Sequence, residues 1–111
     1  DGKEVFRFAV KKVPEVIDEL LDKSAYDRAD IDWFILHQAN LRIIESVAKR
    51  MQTGMEKFPV NISGYGNTSS ASIPILLDEM HRDGRLQRGQ KVIIAGFGGG
   101  LSWGAALIEW Q

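Results

Sequence analysis

The stretch Trp33-Phe34-Ile35-Leu36-His37-Gln38-Ala39-Asn40-Leu41-Arg42 decides the reading of this chain. Four large apolar residues run directly into a histidine, and helical periodicity begins just after it. A short apolar run of this kind reads as a buried strand, and the change of period marks the start of a helix. His37 then stands at the carboxyl end of a strand, where open α/β sheets gather their chemistry. Two other stretches are of a kind to converge there, Gly66-Asn67-Thr68-Ser69 and Gly96-Phe97-Gly98-Gly99-Gly100.

Upstream, Phe6, Val10, Val13, Ile17 and Leu20 follow helical spacing, with Ala9, Val16 and Leu21 beside them. Pro14 interrupts the pattern by removing an N–H and crowding the preceding turn. The spacing predicts one kinked helix over residues 4–23. The alternative is a helix from Lys12 preceded by an extended segment 5–10. Residues 24–30 read as a polar connector.

Downstream, Leu41, Ile44, Val47, Ala48 and Met51 form a second apolar stripe, with Arg42, Glu45, Lys49 and Arg50 on the other side. Residues 52–57 read as a loop. Phe58-Pro59-Val60-Asn61-Ile62 is short, β-rich and bounded by turn residues, so it reads as a strand, with Pro59 at its start or on an edge. Thr68 or Ser69 can cap the next helix. That helix buries Ile73, Leu76, Leu77 and Met80, takes Pro74 in its first turns and stops at Gly84. Lys91 to Phe97 is a second buried strand, and Leu101 to Trp110 is again β-like. The two can form a hairpin through the glycines. The expected order is α-β-α-β-α-β-β, an α/β fold with a mixed sheet and helices on both faces.

Composition narrows the function. The chain has 111 residues, 44% of them apolar, enough for one domain with a core. A net charge of −1 gives nucleic-acid binding no support as the main task. With no cysteine, disulfides and cysteine-based metal sites are excluded from this chain, and no metal site is expected. No run is long enough for a membrane span and no signal peptide opens the sequence, so a cytoplasmic protein is the expectation. The start, Asp1-Gly2-Lys3-Glu4, suits a piece processed or excised from a longer protein.

Each candidate residue has a bland reading. A lone histidine at a strand end is usually structural, but the strand-to-helix position of His37 raises it above that. His81, late in a helix beside Arg82 and Asp83, reads as a solvated helix-end residue. Asn67 alone is a turn residue. Followed by Thr-Ser at a helix start, its amide suits holding a carbonyl or enolate oxygen, and the free backbone donors keep a phosphate site open. Gly-Phe-Gly-Gly-Gly is not a dinucleotide fingerprint, because that motif opens a helix and the residues here have β character. It is a hairpin turn, or a backbone so free of Cβ atoms that a reacting carbonyl can reach an N–H. Arg42, Lys49 and Arg50 form a solvated face, or a docking patch for an acidic partner.

Taken together, His37-Gln38-Ala39-Asn40-Leu41-Arg42, Gly66-Asn67-Thr68-Ser69-Ser70-Ala71-Ser72 and Gly96-Phe97-Gly98-Gly99-Gly100 resemble, in order and spacing, the carboxyl-terminal part of the β-ketoacyl-acyl-carrier-protein synthase III family, in the thiolase-like superfamily. Asp78-Glu79, Asp83-Gly84-Arg85 and Trp103-Gly104-Ala105-Ala106-Leu107 look like that family as well. The resemblance covers essentially the whole chain. It implies a thiolase-like half, residues 1–111 forming a single carboxyl-terminal domain that lacks its first strand. It implies an enzyme that starts fatty-acid synthesis by condensing acyl-CoA with malonyl-acyl carrier protein.

By the same resemblance, His37 and Asn67 are the catalytic pair. Gly99 is the backbone donor to an oxyanion, and Phe97 lines the active site. Asn40 contacts the pantetheine arm of CoA. Arg42 docks acyl carrier protein, with Lys49 and Arg50 extending that patch. The implied partners are acyl carrier protein, the amino-terminal half of the same enzyme and a second copy in a homodimer. No cofactor is implied, since CoA and carrier protein bring the substrates. The family's nucleophile is a cysteine, which this chain lacks, so the chain alone is expected to be inactive. Leu36 stands where proline is commoner in the family, a change of local packing. The alternatives are half of another thiolase-like condensing enzyme, of hydroxymethylglutaryl-CoA or polyketide synthase type, or a non-catalytic isolated domain.

Overall fold

The eight residues Lys91–Gly98 form the central strand of a three-stranded mixed sheet, seen in a computed structural model that describes residues 2–37, 41–61, 72–98 and 102–111. We label the elements α1 (Gly2–Asp22), β1 (Trp33–Leu36), α2 (Leu41–Arg50), α3 (Ser72–Arg82), β2 (Lys91–Gly98) and β3 (Ser102–Glu109). β1 pairs with β2 in parallel, from Trp33 opposite Val92 to Leu36 opposite Ala95. β3 returns antiparallel to β2, from Gly98 opposite Ser102 to Lys91 opposite Glu109. The expected antiparallel pairing of these two strands is therefore present, and residues 99–101 between them lie outside the described residues.

Alternation along the strands assigns the two faces, because successive side chains in a strand point to opposite sides. Phe34, Leu36, Ile93 and Ala95 face a core shared with Ala9, Val13, Ile17 and Leu21 of α1 and with Ile43, Ile44, Val47 and Ala48 of α2. Ile35 and Val92 face the other way, toward Leu76 and Met80 of α3, with Trp33, Ile94, Ile108 and Trp110 around them. Helices thus cover both faces, as expected.

α1 is one helix with Pro14 inside it, so the reading of a single helix holds over the extended alternative, with bounds at Gly2 and Asp22. Its buried stripe is Ala9, Val13, Ile17 and Leu21: Val13 and Ile17 stand on the expected line, whereas Val10 and Leu20 are half-buried and Ala9 and Leu21 beside them are buried instead. The polar connector contains a 3-10 turn at Arg28–Asp30, and the loop after α2 contains another at Met55–Lys57. Arg28 ties these parts together. Its guanidinium bonds both carboxylate oxygens of Asp18, at 3.2 and 3.1 Å, and donates to the carbonyl of Met51 just past α2. Lys57 Nζ donates to the Ile31 carbonyl at 2.8 Å, fixing the second turn beside β1.

Two expectations need correction. Leu41 is 44% exposed and does not belong to the buried stripe of α2, where Ile43 takes its place. The segment read as a strand over residues 58–62 is irregular over 58–61, and Ile62 lies outside the described residues. Pro59 has no N–H to give a ladder, and Phe58 anchors the segment instead. Phe58 is buried and stacks on Phe34, with ring centroids 5.1 Å apart and planes 14° apart. The order of described elements is α-β-α-α-β-β, the expected mixed sheet and layers with that one strand replaced by an irregular segment anchored at Phe58.

α3 ends where the sequence placed its stop. Gly84 has φ +85°, a left-handed conformation that glycine adopts without strain. The helix start proposed at Thr68 or Ser69 lies outside the described residues.

Candidate functional site

His37 follows β1 directly, and only 7% of its surface is exposed. Its backbone N–H donates to the Ala95 carbonyl at 3.0 Å, continuing the ladder between β1 and β2 by one residue beyond the strand. The side chain is therefore carried on a main chain fixed by its neighbour strand. β2 runs on from Ala95 through Gly96 and Phe97 to Gly98, the beginning of the glycine motif. Strand pairing thus brings two of the three sequence motifs to the same end of the sheet. Phe97 lies in β2 opposite Trp103. Asn40, Asn67 and Gly99 lie outside the described residues.

The cations fall on α2. Arg42 is the second residue of that helix, and Lys49 and Arg50 are its last two. All three are exposed. Lys49 and Arg50 complement the negative end of the helix dipole, whereas Arg42 stands near the positive end, where a cation is disfavoured. The Arg42 guanidinium lies over the ring of Phe6 on α1, 5.4 Å from its centroid. No spacing along the chain points to this contact. Phe6 reads as one more member of the apolar stripe, and only the packing of α1 against α2 sets its ring beside Arg42.

The resolved charge shifts lie elsewhere. Lys91, at the opposite end of β2, is held above its ordinary 10.5 by the Glu109 carboxylate 3.1 Å away. The Arg85 side chain holds Asp83 below its ordinary 3.8 by hydrogen bonding. His81 is exposed, and its ring is 5.8 Å from that of Trp110 in a tilted contact. No group of three or more histidine or acidic side chains among the described residues is placed to hold a metal. No helix among them is long and apolar enough to cross a membrane.

The family described as 3-oxoacyl-[acyl-carrier-protein (ACP)] synthase III C terminal matches residues 21–110. The chain belongs to this family. A β-ketoacyl-[acyl-carrier-protein] synthase III of Xanthomonas axonopodis pv. citri is 54% identical over 109 residues, which is 98% of this chain and 34% of that protein. Among solved structures, the synthase III of Thermus thermophilus superposes with a TM-score of 0.95 at 42% identity, covering 100% of this chain and 35% of that one. The synthase III of Aquifex aeolicus VF5 gives 0.95 at 43%, covering 99% and 36%. The chain therefore spans about a third of the length of the synthase III relatives it matches. Its mixed sheet with helices on both faces is the thiolase-like architecture of those synthase III structures.

Proposed function

We propose that this chain is the His/Asn-bearing, carboxyl-terminal domain of a β-ketoacyl-acyl-carrier-protein synthase III, lacking the first strand of that domain. The observation that carries the reading is His37, buried at the carboxyl end of β1 and bonded through its N–H to the strand that leads into the glycine motif. The reaction is a decarboxylative Claisen condensation in the cytoplasm. An acyl group passes from acyl-CoA to a cysteine, with CoA leaving as the thiol. This chain has no cysteine, so the nucleophile belongs to the amino-terminal half, and the chain alone does not catalyse condensation. The complete enzyme is a homodimer.

Malonyl on acyl carrier protein then loses carbon dioxide. The electron pair of the broken C–C bond moves toward the thioester oxygen, which becomes enolate-like. His37, neutral and protonated at Nε2, and Asn67 donate hydrogen bonds to that oxygen. The α-carbon attacks the acyl thioester, and the cysteine thiolate leaves. The Gly99 N–H steadies the oxyanion of that step. Phe97 lines the space around the departing carboxylate, Asn40 holds the pantetheine arm, and Arg42, Lys49 and Arg50 dock the acidic carrier protein.

The test separates two half-reactions in the full-length synthase carrying this segment. Loss of one preorganised donor to a developing oxyanion costs about 2.7–4 kcal/mol, or roughly 10²–10³ in rate. His37→Ala and Asn67→Ala should each lower carbon dioxide release from malonyl carrier protein by that factor while acyl label from acyl-CoA still accumulates on the protein. Equal loss of both half-reactions in His37→Ala alone would instead make His37 the base that activates the cysteine.

A further inference from the structure

We infer that Phe6 is a positioning residue for Arg42, an inference resting on the reading of Arg42 as a docking cation for an acidic carrier protein. Two observations carry it. The Arg42 guanidinium lies 5.4 Å from the centre of the Phe6 ring, within reach of the negative face of its π system. Arg42 also occupies the first turn of α2, where the helix dipole opposes a cation and the helix itself gains nothing from one.

The ring offsets that disadvantage and gives the long side chain a preferred direction. Phe6 is itself anchored, because it packs against the core shared by α1, α2 and the sheet. The core thus fixes the ring, and the ring aims the charge. Part of the ordering entropy that a mobile arginine would lose on binding is removed before the partner arrives.

The experiment is a double-mutant cycle in the full-length synthase carrying this segment, reading kcat and KM for malonyl carrier protein at low salt. Phe6→Leu should raise KM about two- to fivefold, the size of an exposed cation–aromatic contact, with little change in kcat. In an Arg42→Gln background the same substitution should do nothing further. Phe6→Trp, which keeps a π face, should retain the original KM and shows that the fold tolerates change at this position. An equal loss from Phe6→Leu in both backgrounds, or a loss carried by kcat, would overturn the inference and leave Phe6 a packing residue. If Arg42→Gln alone leaves carrier-protein kinetics unchanged, the docking reading fails and this inference fails with it, a result visible before the cycle is completed.

Discussion

Replacing Phe58 by leucine tests what holds the irregular segment after α2 against the sheet. Phe58 and Phe34 are 1% and 0% exposed, with ring centroids 5.1 Å apart. Truncating a buried phenylalanine to alanine costs about 3–5 kcal/mol. Domains of this size are stable by only about 5–15 kcal/mol, so alanine could remove most of the fold. Leucine keeps most of the volume and isolates the ring pair. Such pairs contribute about 0.5–1.5 kcal/mol beyond their buried area. In urea unfolding followed by tryptophan fluorescence, Phe34→Leu and Phe58→Leu should therefore each destabilise the chain. The double variant should cost about 0.5–1.5 kcal/mol less than the sum of the two. Single-variant losses that add to within about 0.3 kcal/mol would refute the reasoning, since the rings would then contribute only as bulk.

The purified 111-residue chain should produce no acetoacetyl thioester above the uncatalysed background, because it carries no cysteine, and an assay of that product checks it. In the full-length synthase, Arg42→Glu should lower the use of malonyl carrier protein far more than it lowers acyl transfer from CoA, with the gap narrowing as salt is raised; stopped-flow association rates measure it. Gly84→Ala should cost about 1–2 kcal/mol through its left-handed backbone alone, since nothing lies within 4 Å of the added Cβ; Gly104→Ala, equally open and without that φ, should melt with the parent. Glu109→Gln should lower the Lys91 pKa toward its ordinary 10.5 when titrated by NMR. Because folding raises that pKa, the Lys91–Glu109 contribution to stability is full below 10.5 and fades as pH rises through the folded value.

The helices were legible because each has a polar side, and the sheet because its strands are apolar runs between turn residues. Where the reading slipped, a second factor decided. Leu41 fits the α2 period, but it is the first residue of the helix and lies beyond what the core covers. Phe58 to Ile62 has strand composition, yet composition does not reveal that residues 58–61 join no ladder and that Phe58 is buried against Phe34. The four apolar residues of β1 gave no alternation to show which side each would face, because both faces are buried. In the site, His37 stood out through its place at a change of period, which is local information. Its bond to Ala95 and the ring beside Arg42 are not local, and no spacing along the chain announces them.

The bond from His37 to Ala95 makes β2 a ruler. The histidine is pinned beside Ala95, and β2 ends at Gly98, three residues further along the same strand. At about 3.3 Å per residue, that count sets the pinned backbone and the end of β2 roughly 10 Å apart along the strand. Side chains within the interval can change while the separation stays. Adding or removing one residue there would shift the end of β2 by a full step and exchange the faces of the strand side chains beyond it. Between Ala95 and Gly98 the fold should tolerate new letters more readily than a new length.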